Sequence, residues 1–277
     1  MKIFKKPQWI TIVIAVLAIV LLLLLPRVEK PDTKLKLDEV EVSDSAEEND
    51  VEISETSQLV LDNILAEIAR SDVMIDKIEW MDSLSNFWEG QGNLFKSADA
   101  LYDIAEIIND KPSYLIAGDK YFQAFRDDDN SEKMRSLKKS IVAYEKILEL
   151  DADDLEAMTS LAVCYIEGSQ TLGEAPMKGI GLLRKVLEID PDNINALVNL
   201  AYFSTQSGQF ELAIERYEHV LEIDPNFLDA YLYLSDIYIN SDNPAKAISY
   251  LEIYKSKISD PEIKRQLEIY IEKIKNK

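Results

Sequence analysis

The sequence predicts an all-α fold made of repeated helical hairpins, and three observations carry that prediction. Residues 194–227 read as two amphipathic helices around a tight turn. The same spacing of small, apolar and aromatic residues recurs before and after that stretch. Glycine is sparse, at 8 of 277 residues, and proline is scarce inside the periodic segments. Both residues weaken helix interiors, so their scarcity suits a helical chain.

The central stretch gives the clearest pattern. Leu197, Leu200 and Ala201 recur at i, i+3 and i+4, the stripe of one helix face. Gly208 interrupts it where a chain reversal favours positive φ. A second helix carries Ala213, Ile214, Tyr217, Val220 and Leu221 on one face, and Asp224-Pro225 ends the unit. The unit is about 34 residues long and resembles the tetratricopeptide repeat. That family's pattern runs W-x2-L-G-x2-Y, then G-x4-A-x3-F-x2-A, then P. Leu197 stands in its Trp slot, Leu200 and Ala201 in the Leu-Gly slots, and Ser204 in the first Tyr slot. Gly208, Ala213, Tyr217, Val220 and Pro225 complete the match. The resemblance implies a right-handed superhelical solenoid whose first helices line a concave, peptide- or protein-binding face. It leaves the partner open, because fold does not dictate function.

In chain order, residues 1–26 read as a signal-anchor. Lys2, Lys5 and Lys6 precede a run from Trp9 to Leu25 in which every residue but Thr11 is apolar. That run is about 17 residues, at the lower limit for crossing a ~30 Å hydrocarbon core. No small-x-small cleavage site follows, which argues against a removed signal peptide. The expectation is a single-pass membrane protein with its N-terminus inside and the array on the extracytoplasmic side, at the inner membrane if the cell is bacterial. Residues 27–57 read as a disordered acidic tether, rich in Asp, Glu, Ser and Lys and devoid of aromatics.

Residues 58–112 read as a helical region ending in a degenerate repeat, with Ala100 in the small-residue slot, Pro112 in the terminal slot, and Trp88 where Gly is usual. The array proper spans 113–260. Its first unit has Tyr114, Ala117, Gly118 and Tyr121, then a long link containing Asp127, Asp128, Asp129 and Asn130, then Ser140 and Tyr144. That acidic link lacks the Gly and terminal Glu spacing of a calcium loop and reads as solvated. The next unit has Met158, Leu161, Ala162 and Tyr165, then Gly179, Leu183 and Pro191. The last has Tyr231, Leu234, Ser235 and Tyr238, then Ala247, Leu251 and Tyr254. Residues 261–277 read as a capping helix, opened by Ser259 and Glu262 as a capping box.

Composition narrows the function. The chain carries 51 acidic and 30 basic residues, a net charge of −21. That sign disfavours nucleic acid, whose binding relies on Lys and Arg. Cys164 and His219 are the single Cys and His, so common nucleophile–base pairs and Cys/His metal sites cannot be assembled. No phosphate-binding, dinucleotide, zinc-protease or nucleophile-elbow motif is present. The reading is a non-enzyme without cofactor or metal. The resemblance assigns the concave face to Glu156, Thr159, Ser160 and Val163, then Asn195, Val198, Asn199 and Tyr202, then Asp229, Leu232, Tyr233 and Asp236. This set holds no Lys or Arg, which favours a neutral or basic protein segment as ligand. Self-association of the array is the alternative use of that face. The functional expectation is a membrane-anchored scaffold; the alternative is an assembly factor resembling the anchored repeat subunits of cytochrome c maturation.

Overall fold

The computed structural model describes residues 53–127, 132–173 and 176–276. Among them are thirteen helices: α1 (Glu55–Arg70), α2 (Met74–Gly90), α3 (Leu94–Ile108), α4 (Lys111–Arg126), α5 (Lys133–Leu150), α6 (Leu155–Glu167), α7 (Ser169–Leu172), α8 (Met177–Ile189), α9 (Ile194–Gln206), α10 (Phe210–Ile223), α11 (Leu228–Asn240), α12 (Pro244–Lys257) and α13 (Pro261–Lys275). Each packs chiefly on its chain neighbours, with α6 reaching both α8 and α9. The arrangement is an all-α repeat solenoid, in which a unit touches only adjacent units.

Helix starts follow from side-chain caps. Ser54 accepts from the Ser57 amide, Asn93 from Lys96, Asp110 from Ser113, Asp154 from Ala157, Asn193 from Ala196 and Asn243 from Lys246. Each satisfies an amide that the helix cannot, a contribution of ~1 kcal/mol. Ser54 places the start of α1 at Glu55, inside the stretch read as tether up to residue 57. At the other end Asp260, not Ser259, caps α13: its Oδ1 accepts from the amides of Glu262 and Ile263. Glu262 turns outward to Arg265, so no capping box forms.

The hairpins are held together by a pair of small residues where the two helices cross. In the central hairpin these are Ala201 and Ala213, both fully buried. The pair α11–α12 uses Ser235 and Ala247, and α4–α5 uses Gly118 and Ser140, whose hydroxyl donates to the Gly118 carbonyl at 2.9 Å. In α6–α8 a Cβ on Gly179 would lie 2.3 Å from the Ala162 carbonyl oxygen. Bulkier side chains at these places would push the helices apart and open their shared seam.

The same geometry corrects the register of the first hairpin, α2–α3. Its crossing pair is Ser85 and Ser97, both buried, with hydroxyls 2.9 Å apart. Ser85 occupies the slot assigned to Trp88, and Ser97 the slot assigned to Ala100. The turn agrees. The Asn93 amide donates to the Trp88 carbonyl, as Gln209 does to Ser204 and Asn243 to Tyr238. The residue before each of those donors has positive φ: Gly92 at 77°, Gly208 at 75° and Asp242 at 54°. Trp88 therefore corresponds to Ser204 and Tyr238, in the first Tyr slot.

One continuous core runs through the last two hairpins, joining Leu197, Ala201, Ala213, Tyr217 and Val220 to Ala230, Leu234, Ile237, Tyr238 and Ala247. Leu161 and Leu200 are buried likewise, and Pro191 and Pro225 sit exposed in the turns between hairpins. Five of the seven buried tyrosines send their hydroxyls to acceptors: Tyr114 to Glu106, Tyr121 to Asp99, Tyr144 to Asp119, Tyr165 to Glu145 and Tyr231 to the Pro225 carbonyl. A buried phenol without a partner would lose about 1–3 kcal/mol.

Candidate peptide-binding face

The residues assigned to the concave face come from α6, α9 and α11, the first helices of successive hairpins. The structure treats the three groups differently. On α6, Thr159 is only 8% exposed and its hydroxyl donates to the Leu155 carbonyl, so it offers nothing to a ligand. Glu156 is exposed but accepts from Lys111 Nζ at 2.9 Å, and Lys111 also pairs with Asp154 at 2.7 Å. The face therefore does have a cation at its edge, supplied by α4, and Glu156 is neutralised by it. Val163 is half-buried.

On α9 and α11 the residues are open. Asn195, Asp229 and Asp236 are exposed; Tyr202 is 49% and Tyr233 37% exposed. Asn199 turns its amide back onto the Asn195 carbonyl at 2.8 Å, which leaves its side-chain oxygen available. Tyr233 stacks on Tyr217, with centroids 5.1 Å apart and planes 24° from parallel. Burial, then the neighbouring Tyr233 and Tyr202, pushes the Tyr217 phenol up. Burial and Asp229 do the same for Tyr233. Tyr217 and Tyr233 thus stay neutral at ordinary pH, and the exposed Tyr233 ring, backed by buried Tyr217, is a rigid apolar surface.

The two carboxylates beside this platform are its second feature. Neither Asp229 nor Asp236 makes an ion pair among the described residues. Burial alone pushes the Asp236 carboxyl up, with no cation to oppose it. Other carboxylates are held by Lys111, Lys120, Lys139, Lys255 and Arg265, whereas Asp229 and Asp236, like Glu211 and Glu222, pair with no cation among the described residues.

Models of the tetratricopeptide repeat match residues 182–215 and 204–265. These residues are tetratricopeptide repeats. The tyrosine platform and both unpaired carboxylates lie within or between those repeats, on α9 to α11. No curated protein matches the sequence. Among solved structures, a tetratricopeptide repeat protein from Parabacteroides merdae is 13% identical, with a TM-score of 0.54 over 79% of this chain and 80% of that one. PilW, described as a widely conserved type IV pilus biogenesis factor, is 16% identical, with a TM-score of 0.50 over 72% of this chain and 86% of that one. YrrB, described as a TPR protein with an unusual peptide-binding site, is 17% identical, with a TM-score of 0.45 over 77% and 99%. At these identities the likeness is one of fold.

Other chemistry-bearing residues stand apart from this face. Cys164 is buried against Ser140, Sγ to Oγ 3.4 Å, and burial pushes its thiol up to about 12, so it is a core residue without thiolate character. His219 is partly exposed and lies 3.0 Å from Asp192. Among the described residues no group of His, Cys, Asp and Glu is arranged to hold a metal ion. Of the acidic link, Asp128, Asp129 and Asn130 lie outside the described residues. So does the apolar run 9–25, and no helix among the described residues is long and apolar enough to cross a membrane.

Proposed function

We propose that the array is a non-catalytic scaffold that holds a basic segment of a partner protein against α9 and α11. The observation that carries this is the pairing of two exposed tyrosines, Tyr202 and Tyr233, with two carboxylates, Asp229 and Asp236, that lack cations of their own. Tyrosines supply rigid contact area with little entropy to lose. The carboxylates select Lys or Arg, because opposite charges attract and the apolar ring of Tyr233 beside them weakens the screening that open water would give. The family resemblance supports a right-handed superhelical course that presents this face as a groove. The proposal includes the chain's setting: residues 1–26 anchor it in a membrane and the acidic residues that follow hold the array away from the surface. Its support is the apolar run itself and the basic residues before it.

The test is selection from a displayed library of random peptides by the full chain. Enriched peptides carry Lys or Arg beside an aromatic or amide side chain. The double change Asp229→Lys with Asp236→Lys removes that enrichment while far-UV circular dichroism stays the same. Enrichment of acidic peptides, or enrichment that survives the double change, contradicts the assignment.

A further inference from the structure

A second opening lies at the other end of the array, among helices outside the matched repeats. It is a cleft of about 420 Å³ between α2, α3 and α4, lined by Ile78, Leu101, Ile104, Ile108 and Ile116, with Glu79 and Asp82 at its rim. Its size falls within the ~300–1,000 Å³ of sites that bury a ligand group. Ile116 is 55% and Ile108 43% exposed. Branched aliphatic residues left that open, side by side, mark an interaction surface more often than an isolated exposed residue does.

The repeat lattice shows why this cleft stays empty. With Trp88 matched to Ser204 and Tyr114 to Tyr231, Leu101 falls at the place of Tyr217 and Ile116 at the place of Tyr233. At the junction of α10 and α11 that place is filled by the two stacked rings, 5.1 Å apart. Here two shorter aliphatic side chains stand in the same positions, and the space the rings would occupy remains open.

Charge decides the occupant. The rim carries Glu79 and Asp82 and no cation lines the cleft. Lys111, at the start of α4, is engaged by Asp154 and Glu156 on the far side. The acidic stretch of this chain that precedes residue 53 has the same sign as the rim and is repelled by it. The C-terminal helix of a second copy is nearly neutral, with Lys264, Arg265, Lys273 and Lys275 set against Glu262, Glu268 and Glu272. We infer that the cleft between α2, α3 and α4 is a separate docking site for a basic amphipathic helical segment of a partner, whose Leu- or Ile-type side chains fill the cleft while its Lys or Arg residues meet Glu79 and Asp82. This is the helix-in-groove mode, with anchors spaced one helical turn apart.

The probe is a fluorescent synthetic peptide of Leu and Lys in helical amphipathic order, titrated into the full chain and read by anisotropy. Its comparison is a peptide of equal charge in which Ser replaces Leu. The Leu/Lys peptide binds at least tenfold more tightly than the Ser/Lys peptide. Binding drops tenfold or more in Glu79→Lys with Asp82→Lys, and again in Ile116→Lys. All three positions are exposed, so the fold survives, and circular dichroism verifies it. Glu211→Lys with Glu215→Lys, a charge reversal of equal size at exposed residues of α10, leaves this binding unchanged, which separates the site from bulk negative charge. Equal binding of both peptides reduces the effect to bulk charge and overturns the inference. So does binding that survives the rim and Ile116 changes, displacement of the probe by dodecanoate, or a concentration-dependent dimer lost in the same variants.

Discussion

Two glycines on α8, two positions apart, are predicted to respond to alanine in opposite directions. A Cβ on Gly179 would meet the Ala162 carbonyl oxygen at 2.3 Å and Ile166 Cγ1 at 2.8 Å; a Cβ on Gly181 meets nothing within 4 Å. Ordinary contact begins near 3.4 Å, so Gly179→Ala must drive α6 and α8 apart by about 1 Å. A backbone oxygen inside a helix cannot rotate away as a side chain can. Overpacking of this kind destabilises by ~1–3 kcal/mol, and removing a helical glycine returns ~1 kcal/mol. Because the obstacle is backbone, the upper part of that range applies and the net loss is about 2 kcal/mol. Gly181→Ala keeps only the propensity gain, about 1 kcal/mol. The assay is urea unfolding followed by far-UV circular dichroism, with both variants beside the wild-type chain. With a slope of ~1–3 kcal/mol per molar urea, the two midpoints separate by roughly 1–3 M. If Gly179→Ala matches or exceeds the wild-type midpoint, the close crossing of α6 and α8 is wrong, and with it the rule that small pairs set hairpin spacing.

Three further outcomes are expected. Asp242 holds φ of 54° in a turn where the other hairpins place Gly92 and Gly208, so Asp242→Gly raises stability by ~1 kcal/mol and Gly208→Ala lowers it, as thermal melts will show. Burial, assisted by Asp99 for Tyr121 and by Cys164 and Asp119 for Tyr144, pushes both phenols far up; above pH ~10 the unfolded chain releases those protons and the folded chain does not, so stability is full below that pH and falls as pH rises through it. Spectrophotometric titration then shows these tyrosines ionising only with unfolding. Removal of residues 1–26 moves the protein from the membrane fraction to the soluble one, whereas the full chain resists carbonate extraction; a full chain extracted by carbonate contradicts the anchor.

How much of this was legible in the sequence depends on whether a residue's role is local. The hairpin at α9–α10 was readable because Leu197, Gly208, Ala213 and Pro225 each act within one period. The first hairpin was displaced by three residues because serines, not glycine or alanine, fill its crossing. A serine in sequence reads as a surface residue, and only the Ser85–Ser97 hydroxyl contact reveals it as a small buried one. At α13, Ser259 and Asp260 were both fit to cap, and hydrogen-bond geometry chose the second. The concave residues were assigned by position in the repeat, which says where a Cα lies but not what its side chain does. Thr159 turned inward to its own helix, and Glu156 was claimed by Lys111 from another hairpin. No periodicity encodes that ion pair. The aliphatic cleft was equally hidden: Leu101 and Ile116 look like ordinary stripe residues until α2, α3 and α4 are brought together.

The most direct measurement places a photo-crosslinking phenylalanine analogue at Tyr202 in the full chain, in cells that express it, and sequences the attached segment. The account requires a short stretch rich in Lys or Arg, with crosslinking lost when Asp229 and Asp236 are both reversed to Lys and kept when exposed residues of α10 on the outer surface, such as Glu211 and Glu215, are reversed instead. An acidic segment at Tyr202, or capture indifferent to the two aspartates, contradicts it.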